Sequence, residues 1–143
     1  MRTGFREGDI FIIPMNDGRS AVCQVVCALK GRFKKAFSFG VIRLTSDETD
    51  LSDGDFLQYR FGNRQSSVIF TSPEKLQNGT WRVVGNIPLT PEKEERQVFQ
   101  CAGHLYRGDE YIRNLTPDEY ASFETLGVAG YELVQMHLIK MEP

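Results

Sequence analysis

A strand, a tight turn and a second strand near the start of the chain constrain its fold more than any other segment. Four consecutive apolar residues, Ile10 to Ile13, precede the turn sequence Pro14-Met15-Asn16-Asp17-Gly18, and the apolar run Ala21 to Leu29 follows it. Gly18 supplies the positive φ angle that such a turn requires, and Pro14, which lacks an amide donor, belongs at a strand end or a sheet edge. The segment therefore predicts an antiparallel β-hairpin.

A third strand extends this hairpin into a sheet. The residues from Ala36 to Leu44 are again mostly apolar, and they follow the basic segment Lys30 to Lys35, which has the composition of a solvated hairpin tip. The residues from Thr45 to Asp55 then form a predicted loop, because they are rich in Asp, Ser, Thr and Gly. Further short strands are expected at Phe56–Phe61, Ser67–Thr71, Trp81–Val84 and Val98–Tyr106.

The C-terminal half is predicted to contain one helix. Pro117 to Leu126 has the sequence of an amphipathic helix. Thr116 can cap it, Pro117 suits its first position, and Glu119 completes a capping box. The last apolar run, Tyr131 to Met141, has the pattern of a strand covered on both faces. We therefore expect a mainly β fold, a strongly bent antiparallel sheet or a partly open small barrel with one α-helix packed on it.

Size and composition are those of an ordinary globular domain. With 143 residues, 41% of them hydrophobic and 25% charged, residues 1–143 are expected to form a single domain. The 17 basic and 19 acidic side chains give a formal charge of −2, which argues against nucleic-acid binding because phosphate contacts need a basic surplus. No stretch approaches the roughly 18 apolar residues of a membrane span. No export signal is visible either, so we expect a cytoplasmic protein.

The scarce nucleophilic and metal-ligating residues match no familiar catalytic motif. Cys23 and Cys27 lie four residues apart on one predicted strand, too far from each other to form a disulfide. Cys101 and His104 are close in sequence, but their spacing is unspecific, and a zinc site would need two further ligands. His137 is interpreted as a structural histidine on the last strand. We therefore expect no catalytic residue, no metal and no cofactor.

Two segments of opposite charge flank the third strand and are the candidate interaction sites. The acidic loop, residues 45–55, contains no basic residue, so its field would accelerate association with a basic partner. A loop that is merely solvated is the alternative interpretation. The basic tip, residues 30–35, carries Phe33 among four cations, a combination that can stack bases and neutralise phosphates. The acidic loop is the preferred site, and its carboxylate residues are Asp47, Glu48, Asp50, Asp53 and Asp55.

Two stretches of the sequence also follow the pattern of a known family. The first has the sequence GDIFIIPMNDGR from Gly8 to Arg19 and runs on to Gln24-Val25-Val26, and the second is Trp81 to Leu89. Together they resemble the immunity protein 26 family of bacterial polymorphic-toxin systems. This resemblance implies a small, mostly β protein that binds and neutralises a cognate toxin domain and has no chemistry of its own. The motif residues are then mainly structural, and they are Gly8, Asp9, Phe11, Pro14, Asp17, Gly18, Trp81, Gly85 and Pro88.

Two other classes of function compete with this interpretation. The first is a small RNA-binding or nuclease-like β-barrel that uses the Lys30 to Lys35 tip, and the second is an enzyme that uses Cys101 and His104. The genes beside the one for this chain discriminate between them, because a toxin gene directly upstream favours immunity and an antitoxin-like neighbour favours a nuclease. The sequence indicates a protein partner and no membrane, and it gives no indication of the oligomeric state.

Overall fold

The computed structural model describes residues 4–61 and 64–141. This part of the chain contains the strands β1 Asp9–Pro14, β2 Ser20–Cys27, β3 Phe37–Thr45, β4 Tyr59–Phe61, β5 Arg64–Ser66, β6 Ile69–Thr71, β7 Arg82–Asn86, β8 Val98–Cys101, β9 His104–Arg107, β10 Glu110–Asn114, β11 Glu124–Thr125 and β12 Val128–Ala129. Its helices are α1 Glu74–Gln77, α2 Pro91–Glu94 and α3 Tyr131–Lys140, with 3-10 helices η1 Glu95–Gln97 and η2 Pro117–Ser122. Strands predominate in this part of the chain, so the fold is mainly β, as predicted. None of these helices is long and apolar enough to cross a bilayer.

Six strands form the main sheet in the order β12-β6-β3-β2-β1-β7. The predicted β1–β2 hairpin is confirmed, with Phe11 opposite Cys23 and Ile13 opposite Ala21. β3 pairs with β2 in antiparallel orientation, as predicted, and bulges beside Cys23 and Cys27 bend this ladder. The short strand β12 joins β6 in parallel. Within the described residues β12 and β7 are open edges, so the sheet does not close into a barrel.

Both faces of the central strands are buried. All eight residues of β2 are buried, so the sheet needs a cover on each side. On one side, here called the first face, residues of β1 to β3 pack against Trp81 and against Val134 and Leu138 of α3. The opposite side, the second face, carries two apolar clusters. Leu51 of the acidic loop packs on one of them, and a smaller sheet of order β10-β9-β8-β11 covers the other.

Gly8 ties three strands of the main sheet together. Its amide donates to the carbonyl oxygen of Val25 and its own carbonyl accepts from the amide of Ile87, both at 2.9 Å. Its φ is +88°, and a Cβ atom there would lie 2.6 Å from the carbonyl oxygen of Ile87. The next residue, Asp9, is buried and its carboxylate accepts a hydrogen bond from the Asn86 side chain at 3.0 Å. No side chain larger than hydrogen therefore fits at Gly8 without moving the backbone at Ile87, just after β7.

The helix predicted over Pro117 to Leu126 is wrong. This segment forms only the 3-10 helix η2 and then becomes extended in β11, which pairs in parallel with β8. The predicted capping contact is present, since the amide of Thr116 donates to the carboxylate of Glu119 at 3.0 Å. Beyond it, the Ser66 hydroxyl donates to the carboxylate of Glu124 at 2.6 Å. Long-range contacts thus override the local helix signal after one short helix.

The strand predicted over Tyr131 to Met141 is also wrong, because this segment is helix α3. The helix buries Val134 and Leu138, four residues apart, against the first face of the main sheet. It leaves Met136 and Ile139 exposed, at 52% and 51%. Since apolar side chains lie on its covered and its open side, the helical period is hidden in the sequence.

The smaller sheet has shorter strands than predicted. Val98 to Tyr106, predicted as one strand, is the hairpin β8–β9, with positive φ angles at Ala102 and Gly103 in its turn. A tight turn with a positive φ angle at Gly108 joins β9 to β10. Strands β8, β9 and β10 therefore form a meander, to which β11 adds in parallel beside β8, and β10 pairs on one side only within the described residues.

We expect Gly18→Val to destabilise the fold by about 1 to 2 kcal/mol, because a β-branched residue is strained at positive φ. Gly18 has a φ of +92°, and a Cβ atom there would meet no described heavy atom within 4 Å, so the cost is backbone strain and not a clash. Gly85→Ala is the control, since Gly85 is equally open but its φ is not positive. Urea denaturation measures the free energy of unfolding of both variants. An unchanged midpoint for Gly18→Val would show that the turn is built differently.

Candidate functional site

The acidic loop is irregular and its carboxylate residues are exposed. Several of these side chains shape the loop by accepting hydrogen bonds from residues just after them. The carboxylate of Asp47 accepts from the hydroxyl and the amide of Thr49, and that of Asp50 accepts in the same way from Ser52. These hydrogen bonds lower the pKa of Asp47 and of Asp50 below the ordinary value. Both carboxylates are therefore ionised at neutral pH and held by local turns.

Cations from other parts of the fold compensate three of the five carboxylates. The ion pairs are Glu48 with Arg82, Asp50 with Arg43, and Asp53 with Lys93. Asp47 and Asp55 have no ion pair within residues 4–61 and 64–141. The loop contains no basic residue of its own, but the folded surface is less negative than its sequence suggests. The uncompensated charge is concentrated at Asp47 and Asp55.

Lys93 is the buried centre of this region. Its side chain is 6% exposed, and its Nζ donates to Oδ1 of Asp53 and, at 2.7 Å, to Oε1 of Gln24. The Nζ also lies 4.5 Å from the centroid of the Phe56 ring. Gln24 is fully buried, and its Nε2 donates to the carbonyl oxygen of Ile87 at 2.7 Å. Lys93 thus satisfies the buried amide oxygen of Gln24 on the second face, and Asp53 of the loop compensates the buried charge of Lys93.

The basic tip is an exposed turn that is docked on the β9–β10 hairpin. The carboxylate of Asp109 accepts hydrogen bonds from the amides of Lys30 and Gly31, the shortest at 3.0 Å. Phe33 packs edge-on against Tyr106, with ring centroids 4.9 Å apart. The four cations of the tip make no ion pair in the described chain, and they are Lys30, Arg32, Lys34 and Lys35. Within the described residues, all four cations of the tip therefore lack an ion pair, whereas three of the five carboxylates of the acidic loop have one.

Cys101 and His104 lie opposite each other across the β8–β9 hairpin. Cys101 packs against the apolar cluster beneath the smaller sheet, and His104 is exposed, with its Nδ1 2.7 Å from Oδ1 of Asn114. Cys23 and Cys27 are buried free thiols, and burial raises the pKa of Cys27 to about 11. Among the residues that the structure describes, no three His, Cys, Asp or Glu side chains are grouped to hold a metal ion.

A cavity of about 450 Å³ between α3 and strands β4 to β6 is a feature that the sequence did not predict. His137 lines it from α3, and not from the predicted strand, with its ring centroid 4.3 Å from that of Tyr59. Burial, and then the nearby Lys140, lower the pKa of His137. Arg64 and Glu124, 3.7 Å apart, also line the cavity. Its walls come from segments far apart in the chain, so no local sequence signal marks it.

The residues of the two family-like stretches lie in the frame of the main sheet. Pro14 ends β1, and its carbonyl oxygen accepts a hydrogen bond from the Gln135 side chain of α3 at 2.9 Å. The carboxylate of Asp17 accepts from the amide of Arg19 at 3.0 Å and closes the turn. In the second stretch, Trp81 is buried with its ring stacked on Phe11, Gly85 lies in β7, and Pro88 follows that strand.

Comparison with known proteins bears on the same part of the chain. A family model described as immunity protein 26 matches residues 6–106, which include both family-like stretches, the basic tip and the acidic loop. No curated protein and no solved structure matches the chain significantly. Strand β10, helix η2 and helix α3 lie after the matched residues.

We expect Asp53→Asn to lower the free energy of unfolding by about 1 to 3 kcal/mol at neutral pH, because it leaves the buried Lys93 without its counter-ion. Asp55→Asn is the matched control and should change that free energy by less than about 0.5 kcal/mol. Chemical denaturation monitored by the fluorescence of Trp81 measures both variants. Equal stabilities of the two variants would show that the Lys93 ion pair contributes nothing.

The same variant has an expected pH dependence. Burial alone would raise the pKa of Asp53, but the hydrogen bonds from Lys93 and from the Gly54 amide outweigh it and lower that pKa below 3.8. A carboxylate whose pKa is depressed in the folded state stabilises the fold above its unfolded pKa, and this contribution is lost as the pH falls through the folded value. The stability advantage of the wild type over Asp53→Asn should therefore persist at neutral pH and disappear below 3.8.

Proposed function

Because the chain belongs to the immunity protein 26 family, we propose that it is a non-catalytic immunity protein that binds a cognate bacterial toxin domain and neutralises it in the cytoplasm of the producing cell. The observation that carries this proposal is the family match over residues 6–106. The matched residues include the β1–β2 hairpin, β3 and both charged segments, so the sheet and the two candidate interaction sites belong to the family-like part of the chain.

The surroundings of the cysteines support binding without chemistry. A cysteine nucleophile needs a thiolate that is accessible to substrate and a base placed to accept its proton. Cys101 packs against apolar side chains, and the nearby His104 directs its Nδ1 to Asn114. Cys23 and Cys27 are buried in the sheet, and burial raises the pKa of both thiols.

The acidic loop is proposed to attract the toxin before contact. Asp47 and Asp55 carry the charge that no cation compensates within the described residues. Charges at such exposed positions act over about 8 Å at physiological salt and raise the rate of association with a basic partner. The loop is fixed by the Lys93–Asp53 contact and by its local turns, so it is ordered before binding.

An immunity protein must protect a cell that produces the toxin. We expect coexpression of this chain to restore growth of a strain that expresses a toxin encoded by an adjacent gene. Cys101→Ser and His104→Ala should protect as well as the wild type, because neither side chain is proposed to do chemistry. Loss of protection by a correctly folded Cys101→Ser, or stoichiometric zinc in the purified protein, would contradict the proposal.

Neutralising the free carboxylates of the loop should slow toxin capture. We expect Asp47→Asn with Asp55→Asn to lower the association rate by about threefold to tenfold at low salt and to weaken its salt dependence. Glu74→Gln with Glu132→Gln is the matched control, since it removes the same net charge from exposed positions on α1 and α3, away from the loop. Stopped-flow measurements at low and physiological salt compare the two variants. Equal association rates would remove the acidic loop from the proposed interface.

A further inference from the structure

The described chain exposes several large apolar side chains, and all of them lie after residue 106, where the family match ends. They are Tyr111, Ile112, Tyr120, Val128, Met136 and Ile139. Recognition of one cognate partner requires contacts that a shared scaffold does not supply. Exposed apolar groups beyond the family-like part are therefore the first place to search for a partner-specific surface.

Two of these residues are consecutive in the edge strand β10. Every residue of β10 is exposed, Tyr111 by 51% and Ile112 by 43%. The pairing of β10 with β9 shifts register between Tyr111 and Arg113, so Ile112 is the extra residue of a bulge. A bulge re-aims a side chain and protects an edge strand from unspecific pairing. This edge is thus better suited to contacts through its side chains than to the addition of a strand.

The Tyr111 ring is fixed before any partner binds. Its centroid lies 5.8 Å from that of Tyr106 and 6.1 Å from that of His104, both in edge-on geometry. Its hydroxyl donates to Oδ1 of Asn114 at 2.6 Å. Tyr106 is itself stacked on the buried Phe99, with centroids 5.7 Å apart. A rigid exposed tyrosine loses little conformational entropy on binding, which is a property of interface hot spots.

The basic tip contacts Tyr106, the residue against which the Tyr111 ring packs. Arg32 donates to the hydroxyl of Tyr106 at 3.4 Å, and Phe33 packs on the same ring. Asp109, in the turn between β9 and β10, fixes the amides of Lys30 and Gly31. Tyr111 and Ile112 are apolar, and the cations of the basic tip have no ion pair in the described chain. Such a surface is complementary to an apolar depression with acidic residues around it.

We propose that Tyr111 and Ile112, together with the basic tip, form the anchor through which this chain holds its toxin, and that they dock in an apolar depression of the toxin rimmed by Asp and Glu. This inference rests on the proposed immunity function and adds the binding surface and the chemistry of the partner. Both the smaller sheet and the acidic loop cover the second face. A toxin that contacts both of these elements would meet the positive charge of the basic tip at one end and the negative charge of the acidic loop at the other. This arrangement fixes its orientation.

A protein partner fits this surface better than a nucleic acid. Ile112 offers an aliphatic side chain, which suits an apolar pocket and not a stacked base. The chain as a whole has a formal charge of −2.

The test compares two apolar pairs of nearly equal exposure. Tyr111→Ser with Ile112→Ser should weaken binding of the toxin encoded by the adjacent gene by about tenfold or more in isothermal titration calorimetry. Met136→Ser with Ile139→Ser is the matched control, since these side chains are 52% and 51% exposed on α3, and it should leave the Kd unchanged. Replacing the four cations of the tip by Gln should also weaken binding and reduce its salt dependence.

The outcomes separate the proposed anchor from the proposed immunity function and from nucleic-acid binding. Normal toxin binding by the Tyr111 and Ile112 variant would overturn the anchor and leave the immunity function standing, whereas no binding by the wild type would overturn both. Retention of a labelled single-stranded RNA by the wild type, lost in the Gln variant of the tip, would assign this face to nucleic acid instead. Thermal melting checks the fold. Ile112→Ser alone repeats the test if the double variant unfolds, because Tyr111 keeps its ring contacts.

Discussion

Burial of β2 on both faces is the constraint on which the rest of the structure depends. All of its residues are buried, so α3 and Trp81 must cover one side and the acidic loop and the smaller sheet the other. Gln24 places an amide in this buried strand, and its oxygen accepts a hydrogen bond from Lys93, which in turn binds Asp53. The buried amide of Gln24 requires a hydrogen-bond partner when the core closes. The contacts that satisfy it, through Lys93 to Asp53, also anchor the acidic loop and compensate part of its charge.

The parts of the fold with strong local signals are predictable from the sequence. The β1–β2 hairpin follows from its apolar runs and from Gly18, and the acidic loop follows from its composition. The electrostatics of that loop could not be predicted in the same way. Its partners Arg82 and Lys93 lie 34 and 40 residues from the carboxylates that they bind, and only the folded sheet brings them together. The loop was identified, but the two carboxylates that remain uncompensated were not.

The errors fall mainly in the segment that also exposes apolar side chains. α3 is mistaken for a strand because Met136 and Ile139 stay exposed, and η2 is mistaken for the start of a longer helix because contacts of Glu124 with Ser66 and Arg64 extend the chain. Local rules fail here because burial and long-range contacts, and not the local sequence pattern, decide these two elements. The same segment follows the family-like part and carries the proposed anchor on β10.

A toxin that is inhibited by binding alone loses activity in proportion to the inhibitor added. The most direct measurement is a titration of the toxin encoded by the adjacent gene, held well above its Kd, with the purified chain, while residual toxin activity is recorded. Neutralisation by binding predicts a linear decrease that ends at a fixed stoichiometric ratio. Complete loss of toxin activity at a small fraction of that ratio would mean that each chain inactivates many toxin molecules, and it would contradict a non-catalytic immunity protein, as would full activity at every ratio.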